Sequence, residues 1–343
     1  MRTAIILFNL GGPDRLDAVK PFLFNLFNDP AIIGLPQPLR WMMAQLISSR
    51  RAPTARSIYE HMGGRSPIVG NTEEQARALD ALFGPDFKCF VVMRYWHPRA
   101  HDQVAAVKQW APDRVLLLPL YPQFSTTTTA SSVREWQREA ARAGLTVPTT
   151  TLCCYPDNAG FVTAVANGVR RGLAQFDPTL KPRVLFSAHG LPKKVIDAGD
   201  PYQEQVERSV AAVLAELAMP ALDWVICYQS RVGPLEWIGP STEAEVKRGG
   251  ADVVPLLVVP IAFVSEHSET LVELDIEYRT LAEERGVPAY VRAPTVGVDA
   301  DFIAGLADEV RRAIVAPEPI RSSAGRRICT TGRSGCPCGQ MGS

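Results

Sequence analysis

The chain reads as an α/β protein of two Rossmann-like domains, each with a parallel sheet, and a ligand cleft between them. Three observations lead there. Short apolar runs alternate with longer amphipathic stretches along the 343 residues, the order expected of successive β-α-β units. The apolar runs end in polar or glycine-rich turns. The runs of the second half repeat those of the first in order and kind.

The spacing predicts strands at Ala4–Asn9, Cys89–Arg94, Arg114–Leu120 and Val147–Cys153, then at Arg183–Ala188, Trp224–Tyr228, Val253–Ala262 and Ala289–Arg292. Helices are expected at Glu73–Phe83, Val133–Ala143, Phe161–Gln175, Gln203–Ala218 and Asp301–Val315, where apolar residues recur at helical period. The repeat pairs Leu7-Phe-Asn-Leu-Gly-Gly-Pro13 with Leu185-Phe-Ser-Ala-His-Gly-Leu-Pro192. It pairs Val92-Met-Arg-Tyr-Trp-His-Pro98 with Ile226-Cys-Tyr-Gln-Ser-Arg-Val-Gly-Pro234, and Leu118–Thr126 with Val258–Glu266. The expected division is 1–155, with a hydrophobic lip at 21–51, then 156–318, then a cysteine-rich tail at 319–343. Open α/β sheets bind ligands outside the carboxyl ends of their strands. Arg94, Tyr95, Tyr121, Gln123, His189, Gln229, Trp237 and the segment around His267 are therefore expected to line the cleft.

Composition removes several function classes. Lys plus Arg (36) balances Asp plus Glu (36), so the chain carries no nucleic-acid footprint. No stretch approaches the roughly 18 uninterrupted apolar residues of a membrane span; Val253–Val264 is broken by Pro255 and Pro260. The N-terminus lacks a secretory signal pattern, and a cytoplasmic protein is expected. Seven cysteines, an odd number, argue against a disulfide framework.

His189 follows an apolar strand, and a neutral imidazole can ligate a divalent metal or carry a proton. Glu269, Glu273 and Glu277 recur at steps of four, which puts three carboxylates on one helical face. Leu271, Leu274, Tyr278 and Leu281 mark the opposite, apolar stripe, so helix phase alone makes the glutamates a solvated face. Trp237, set between two Gly-Pro turns, and Arg94-Tyr95 offer an aromatic wall and a cation for a flat, carboxylate-bearing ligand. Pro21–Arg51 is rich in Phe, Leu, Ile and Met with Trp41 and flanking arginines, a pattern of buried helices and of membrane-surface segments alike. Cys329, Cys336 and Cys338 sit in a Gly-, Ser- and Pro-rich tail, where burial in a periodic element cannot account for them. Zinc and an iron–sulfur cluster both suit such thiols, with a fourth ligand from Cys153 or Cys154.

Taken in order, Leu7–Pro13, Gly63-Gly-Arg-Ser-Pro67, Met93-Arg-Tyr95, Tyr121-Pro-Gln-Phe-Ser125, Phe186–Pro192, Gly233-Pro-Leu-Glu-Trp-Ile-Gly-Pro240, Pro260-Ile-Ala-Phe263 and Glu273-Leu-Asp-Ile-Glu-Tyr278 resemble the ferrochelatase family over nearly the whole chain. The resemblance implies insertion of Fe²⁺, a substrate, into protoporphyrin IX to form protohaem. Coproporphyrin as substrate, or a non-catalytic tetrapyrrole carrier, are the alternatives. It makes His189 the active-site histidine, which takes pyrrole protons or delivers the metal, with Glu269 as its carboxylate partner across the porphyrin. His267, Glu273 and Glu277 then belong to an acidic path on a helix locally widened into a π-type turn. Arg94, Tyr95, Tyr121 and Trp237 match porphyrin-pocket positions, and 21–51 matches a lip able to touch membrane. Glu266 departs from the Asp of some relatives, with little consequence expected. The tail resembles the microbial form carrying a 2Fe–2S cluster on Cys329, Cys336, Cys338 and Cys154 or Cys153.

Overall fold

The computed structural model describes residues 1–316 and 318–340; positions 341–343 of the expected tail lie outside the described residues. The chain divides into two compact units. One comprises Met1–Cys153 with Val310–Arg321, the other Cys154–Glu309 with Ser322–Ser343.

In chain order the first unit holds β1 (Thr3–Asn9), α1 (Val19–Phe27), α2 (Gln37–Glu60), α3 (Ile68–Asp80), β2 (Phe87–Met93), α4 (Ala100–Trp110), β3 (Arg114–Pro119), α5 (Thr129–Arg142) and β4 (Thr149–Cys154). The strands order β2-β1-β3-β4, and β9 (Ile320–Ser322) adds a fifth at the edge beside β4. β1 pairs in parallel with both β2 and β3, and β3 pairs in parallel with β4. All seven residues of β1 are buried, as a central strand covered on both faces requires. Alternation sends Ala4, Ile6 and Phe8 to one face, where they pack with Val92, Leu117 and Trp136.

The second unit holds α6 (Ala159–Leu173), β5 (Arg183–His189), α7 (Lys193–Asp197), α8 (Tyr202–Leu217), β6 (Asp223–Gln229), α9 (Thr242–Ala251) and β7 (Leu256–Pro260). It continues with a π-helix at Glu269–Glu277, α10 (Tyr278–Glu284), β8 (Tyr290–Arg292) and α11 (Ala300–Ile314), whose last turns belong to the first unit. Its strands order β6-β5-β7-β8, all pairs parallel. Each sheet thus places its own second, first, third and fourth strands side by side, the same winding twice. That is the repeat visible in the sequence. The sites that follow lie at the carboxyl ends of β1, β2, β5 and β6.

The lip segment separates into buried and exposed parts. Phe22 and Leu23 of α1 are buried, and Asp29 behind them is 3% exposed. Ile32, Leu35, Leu39, Trp41, Met42, Met43 and Leu46 are all exposed, Met42 by 61%. Helix α2 therefore presents apolar side chains outward. Among the described residues no helix is long and apolar enough to cross a membrane.

Candidate active site

His189 is the last residue of β5, and Gln229 is its register partner at the end of β6. The following turn runs tight against that strand. The Gly190 N–H donates to the Gln229 carbonyl at 2.8 Å, and a Cβ on Gly190 would sit 2.8 Å from the same oxygen. Only glycine allows the approach that holds His189 beside β6.

Glu269 opens the π-helix, and its Oε2 lies 2.8 Å from His189 Nδ1. Nothing fits between two groups at that distance. In this structure the two form one hydrogen-bonded pair, in contact where the resemblance sets them across a porphyrin from each other. His189 is 39% exposed at its side chain and Glu269 22%. Burial by itself would push the His189 pKa down; the facing carboxylate outweighs it and the net shift is upward. For Glu269 burial acts upward, but His189, His267 and the Ser230 hydroxyl reverse it and hold the carboxyl at about 2.

Ser230 joins this pair to the next acid, a role that no motif marks. Its Oγ lies 2.5 Å from Glu273 Oε2 and 3.0 Å from Glu269 Oε2, and its backbone N–H reaches Glu273 Oε1 at 2.7 Å. Its φ is 60°, a left-handed conformation that a non-glycine residue adopts at a cost. Gln229 Nε2 donates to the Glu269 carbonyl at 3.0 Å and to Glu273 Oε2 at 3.2 Å, and the Tyr278 hydroxyl reaches Glu273 Oε1 at 3.1 Å. Burial, then the negative charge of Glu269, raise the Glu273 pKa above its ordinary value.

The π-helix explains how these glutamates escape the solvated face that α-helical phase assigns them. The Tyr278 N–H returns to the Glu273 carbonyl, five residues back, so each turn holds an extra residue and the faces shift. Thr270, Val272 and Leu274 are buried instead. The wide turn is tied to β8: Tyr290 Oη donates to the Leu274 carbonyl at 2.7 Å, and Arg292 Nε reaches Asp275 Oδ1 at 2.9 Å. Arg292 Nη1 also meets Glu266 Oε1 at 2.7 Å, so Glu266 is a structural ion-pair partner. His267 is 6% exposed, with Nδ1 3.1 Å from the Ser265 carbonyl oxygen. Glu277 is exposed and stands at the outer end of the helix. Trp237 lines a cavity of about 210 Å³ shared with Arg231, Glu273 and Tyr278.

In the other unit, Arg94 is already engaged. Its Nη2 meets Asp29 Oδ2 at 2.7 Å, its Nη1 meets Glu135 Oε2 at 3.0 Å, and its Nε donates to Ser131 Oγ at 2.8 Å. Tyr95, 1% exposed, donates its hydroxyl to the same Asp29 oxygen at 2.8 Å. Arg94 thus meets two buried acids of its own unit, of which Glu135 is shared with Arg99 at 2.7 Å, and it braces the lip. No motif in the sequence marks Asp29 for this role. Tyr121 is half-buried against the apolar face of the same sheet.

The tail thiols lie together. Cys336 Sγ accepts hydrogen bonds from Cys329 and Cys338, and these contacts, with Arg327 nearby, hold its thiol well below the ordinary range, at about 3. Gln205 Nε2 lies 3.1 Å from Cys329 Sγ. Cys153 and Cys154 are both buried, and the Ser323 N–H of the tail donates to the Cys154 carbonyl at 2.9 Å. Three cysteines in mutual contact, with Cys336 held as a thiolate beside Arg327, offer soft sulfur donors of the kind iron–sulfur clusters take. Among the described residues no group of three or more His, Cys, Asp or Glu side chains is arranged to hold a metal ion.

Residues 2–314 match the model of the ferrochelatase family. A ferrochelatase of Phenylobacterium zucineum is 51% identical over the full length of both chains. One of Caulobacter vibrioides is 51% identical, covering 98% of this chain and 97% of its own. A ferrochelatase of a Wolbachia endosymbiont of Drosophila simulans is 52% identical over 90% of this chain and 98% of its own. Among solved structures, SirB from Bacillus subtilis with Fe³⁺ shares the fold, at a TM-score of 0.56 and 14% identity over 92% of this chain and 96% of that one. With near-complete coverage at half identity, the chain belongs to the ferrochelatase family, enzymes that insert ferrous iron into a porphyrin in haem synthesis.

Proposed function

We propose that the substrate is protoporphyrin IX and that the His189–Glu269 pair removes its inner protons. The 2.8 Å contact between His189 Nδ1 and Glu269 Oε2 carries this reading. A carboxylate that accepts the Nδ1 proton fixes the tautomer, leaves Nε2 with its lone pair outward, and makes that nitrogen more basic. Each pyrrole proton taken by Nε2 yields an imidazolium that the ionised Glu269 stabilises. Ser230, Glu273 and Tyr278 continue from that carboxylate as a chain of groups able to relay protons, toward the exposed Glu277. His267 contributes to the lowering of the Glu269 pKa. Since the pair works from one side, iron reaches the macrocycle from the other. A pocket that favours the bent macrocycle lowers the barrier by differential binding.

Three further parts complete the proposal. Cys329, Cys336 and Cys338, with Cys154, hold a 2Fe–2S cluster; the mutual contacts of the tail thiols and the path of the tail beside Cys154 support this set. Cluster ligation would stabilise the fold of the tail, and no step of metal insertion needs its redox chemistry. Trp237 and Tyr121 are pocket residues. The outward apolar side chains of the lip, Trp41 and Met42 among them, favour peripheral contact of a cytoplasmic protein with a membrane surface.

The test is anaerobic insertion of Fe²⁺, followed by the loss of protoporphyrin fluorescence, with wild type and His189→Ala. Rapid quenching by wild type alone supports the assignment. Normal turnover by His189→Ala would sink it, and tight porphyrin binding without insertion by either protein would favour a carrier. Faster turnover of coproporphyrin would replace the substrate.

A further inference from the structure

Beneath Gln229 lies a run of polar groups with no access to solvent. Ser187, Gln229, Thr242 and Cys227 are each 0% exposed. Ser187 Oγ donates to Gln229 Oε1 at 2.8 Å, Thr242 Oγ1 lies 2.8 Å from Ser187 Oγ, and Cys227 Sγ lies 3.3 Å from Thr242 Oγ1. Gln229 Nε2 points the other way, to the Glu269 carbonyl at 3.0 Å and Glu273 Oε2 at 3.2 Å. Four buried polar residues in one run are costly unless every group is satisfied.

Proton counting gives the run a direction. The Glu269 carbonyl and an ionised Glu273 can only accept, so the face of Gln229 turned to them must be its NH₂. Its carbonyl oxygen then faces Ser187 and needs a donor. A hydroxyl has one proton. Once Ser187 gives its proton to Gln229, its oxygen must accept from Thr242, whose hydroxyl also lies 3.3 Å from Cys227 Sγ as a second acceptor. Burial pushes the Cys227 thiol up to about 12, which keeps it neutral beside the run.

We propose that Ser187 and Thr242 are positioning residues: they fix the carboxamide of Gln229 with its NH₂ toward the first turn of the π-helix, which places Glu269 against His189. This rests on the reading of His189 and Glu269 as the proton-removing pair. Without the Ser187 hydroxyl the amide loses the partner of its oxygen, and either orientation leaves a group unsatisfied. The flipped amide would set its oxygen against the Glu269 carbonyl and the Glu273 carboxylate and push both away.

The experiment compares steady-state Fe²⁺ insertion by Ser187→Ala, Thr242→Val and Thr242→Ser with wild type, as full-length protein of verified thermal stability. Ser187→Ala is expected to lower kcat about tenfold, the loss of roughly one hydrogen bond's worth of positioning, with KM for porphyrin within twofold. Thr242→Val, matched in shape but lacking the hydroxyl, should lower kcat in the same sense, and Thr242→Ser should restore it. If Ser187→Ala fails to fold, the Thr242 pair decides. Equal kcat in Thr242→Val and wild type, equal losses in Thr242→Val and Thr242→Ser, or a change confined to KM would overturn the proposal. If Ser187→Ala is normal while His189→Ala is inactive, only the positioning role fails; if both are normal, the reading of the pair fails with it.

Discussion

Ser230 Oγ stands 3.0 Å from Glu269 Oε2, the same carboxylate oxygen that meets His189 Nδ1 at 2.8 Å. It does so from a backbone φ of 60°. Strained backbone persists only where the surroundings hold it, and here Glu273 accepts its N–H. Replacing Ser230 by Ala keeps the strain and removes the hydroxyl; replacing it by Gly removes both. Denaturant melts should show Ser230→Gly more stable than Ser230→Ala by about 1 kcal/mol, while both lose activity. An Ala variant as stable as the Gly variant would mean the conformation costs nothing.

The same pair gives a pH signature. His189 is raised above its ordinary 6.5, so its contribution is complete below that value and is lost as pH rises through the folded pKa. Glu269 is lowered from 4.5 to about 2, so its contribution is complete above 4.5 and is lost as pH falls toward 2. The contact is one interaction seen from two groups, and it is fully present between 4.5 and 6.5. The difference in Tm between wild type and Glu269→Gln should be greatest in that window and shrink on both sides. A difference independent of pH would remove the charge pairing from the account.

Glu269→Gln should also reduce insertion by roughly 10²–10⁴-fold, the usual scale for general-base assistance. The His189 titration, followed by NMR, should move downward, because burial then acts without an opposing carboxylate. An unchanged histidine titration would show that the contact does not set its basicity.

Arg94 predicts a loss of stability before any loss of porphyrin affinity. Removing it leaves Asp29 buried without its cation, while Glu135 keeps Arg99 at 2.7 Å; breaking a buried pair typically costs 3–5 kcal/mol, so roughly that range is expected for Arg94→Ala. Asp29 is pulled below its ordinary 3.8: burial acts upward, but Arg94, Ser131, Ala31 and Tyr95 outweigh it. Its contribution is therefore present above pH 3.8 and lost as pH falls through the folded value. A raised KM for porphyrin in a variant of unchanged stability would return Arg94 to the role of ligand cation.

The cluster proposal predicts that Cys336→Ser yields colourless protein of lower stability, whereas the wild type is brown. A brown variant with unchanged visible absorption would refute the ligand set. The pairing of Cys154 with the tail is tested in the same way by Cys154→Ser against Cys153→Ser.

The strands and their repetition were legible because a parallel strand buried on both faces needs an apolar run, and such runs are local in sequence. β1 from Thr3 to Asn9 and β5 from Arg183 to His189 illustrate it. The three-residue strand β9 was not legible, since its pairing is decided by the neighbour β4 and not by its own composition. The histidine and the glutamates could be named from motifs. Their contact could not, because α-helical phase turned the glutamates away and only the π-helix turns them back.

By itself, then, the sequence determined the two-fold α/β winding, the family, and which residues stand at the carboxyl ends of the strands. Hydrophobic period and motif order are properties of neighbouring residues. Tertiary structure alone decided that His189 and Glu269 touch, that Ser230 joins them to Glu273, and that Arg94 is spent on Asp29 and Glu135. Those outcomes depend on partners between 39 and 80 residues away in the chain, which no local pattern encodes. Burial then sets what each charged group can do by selecting the partners it must satisfy.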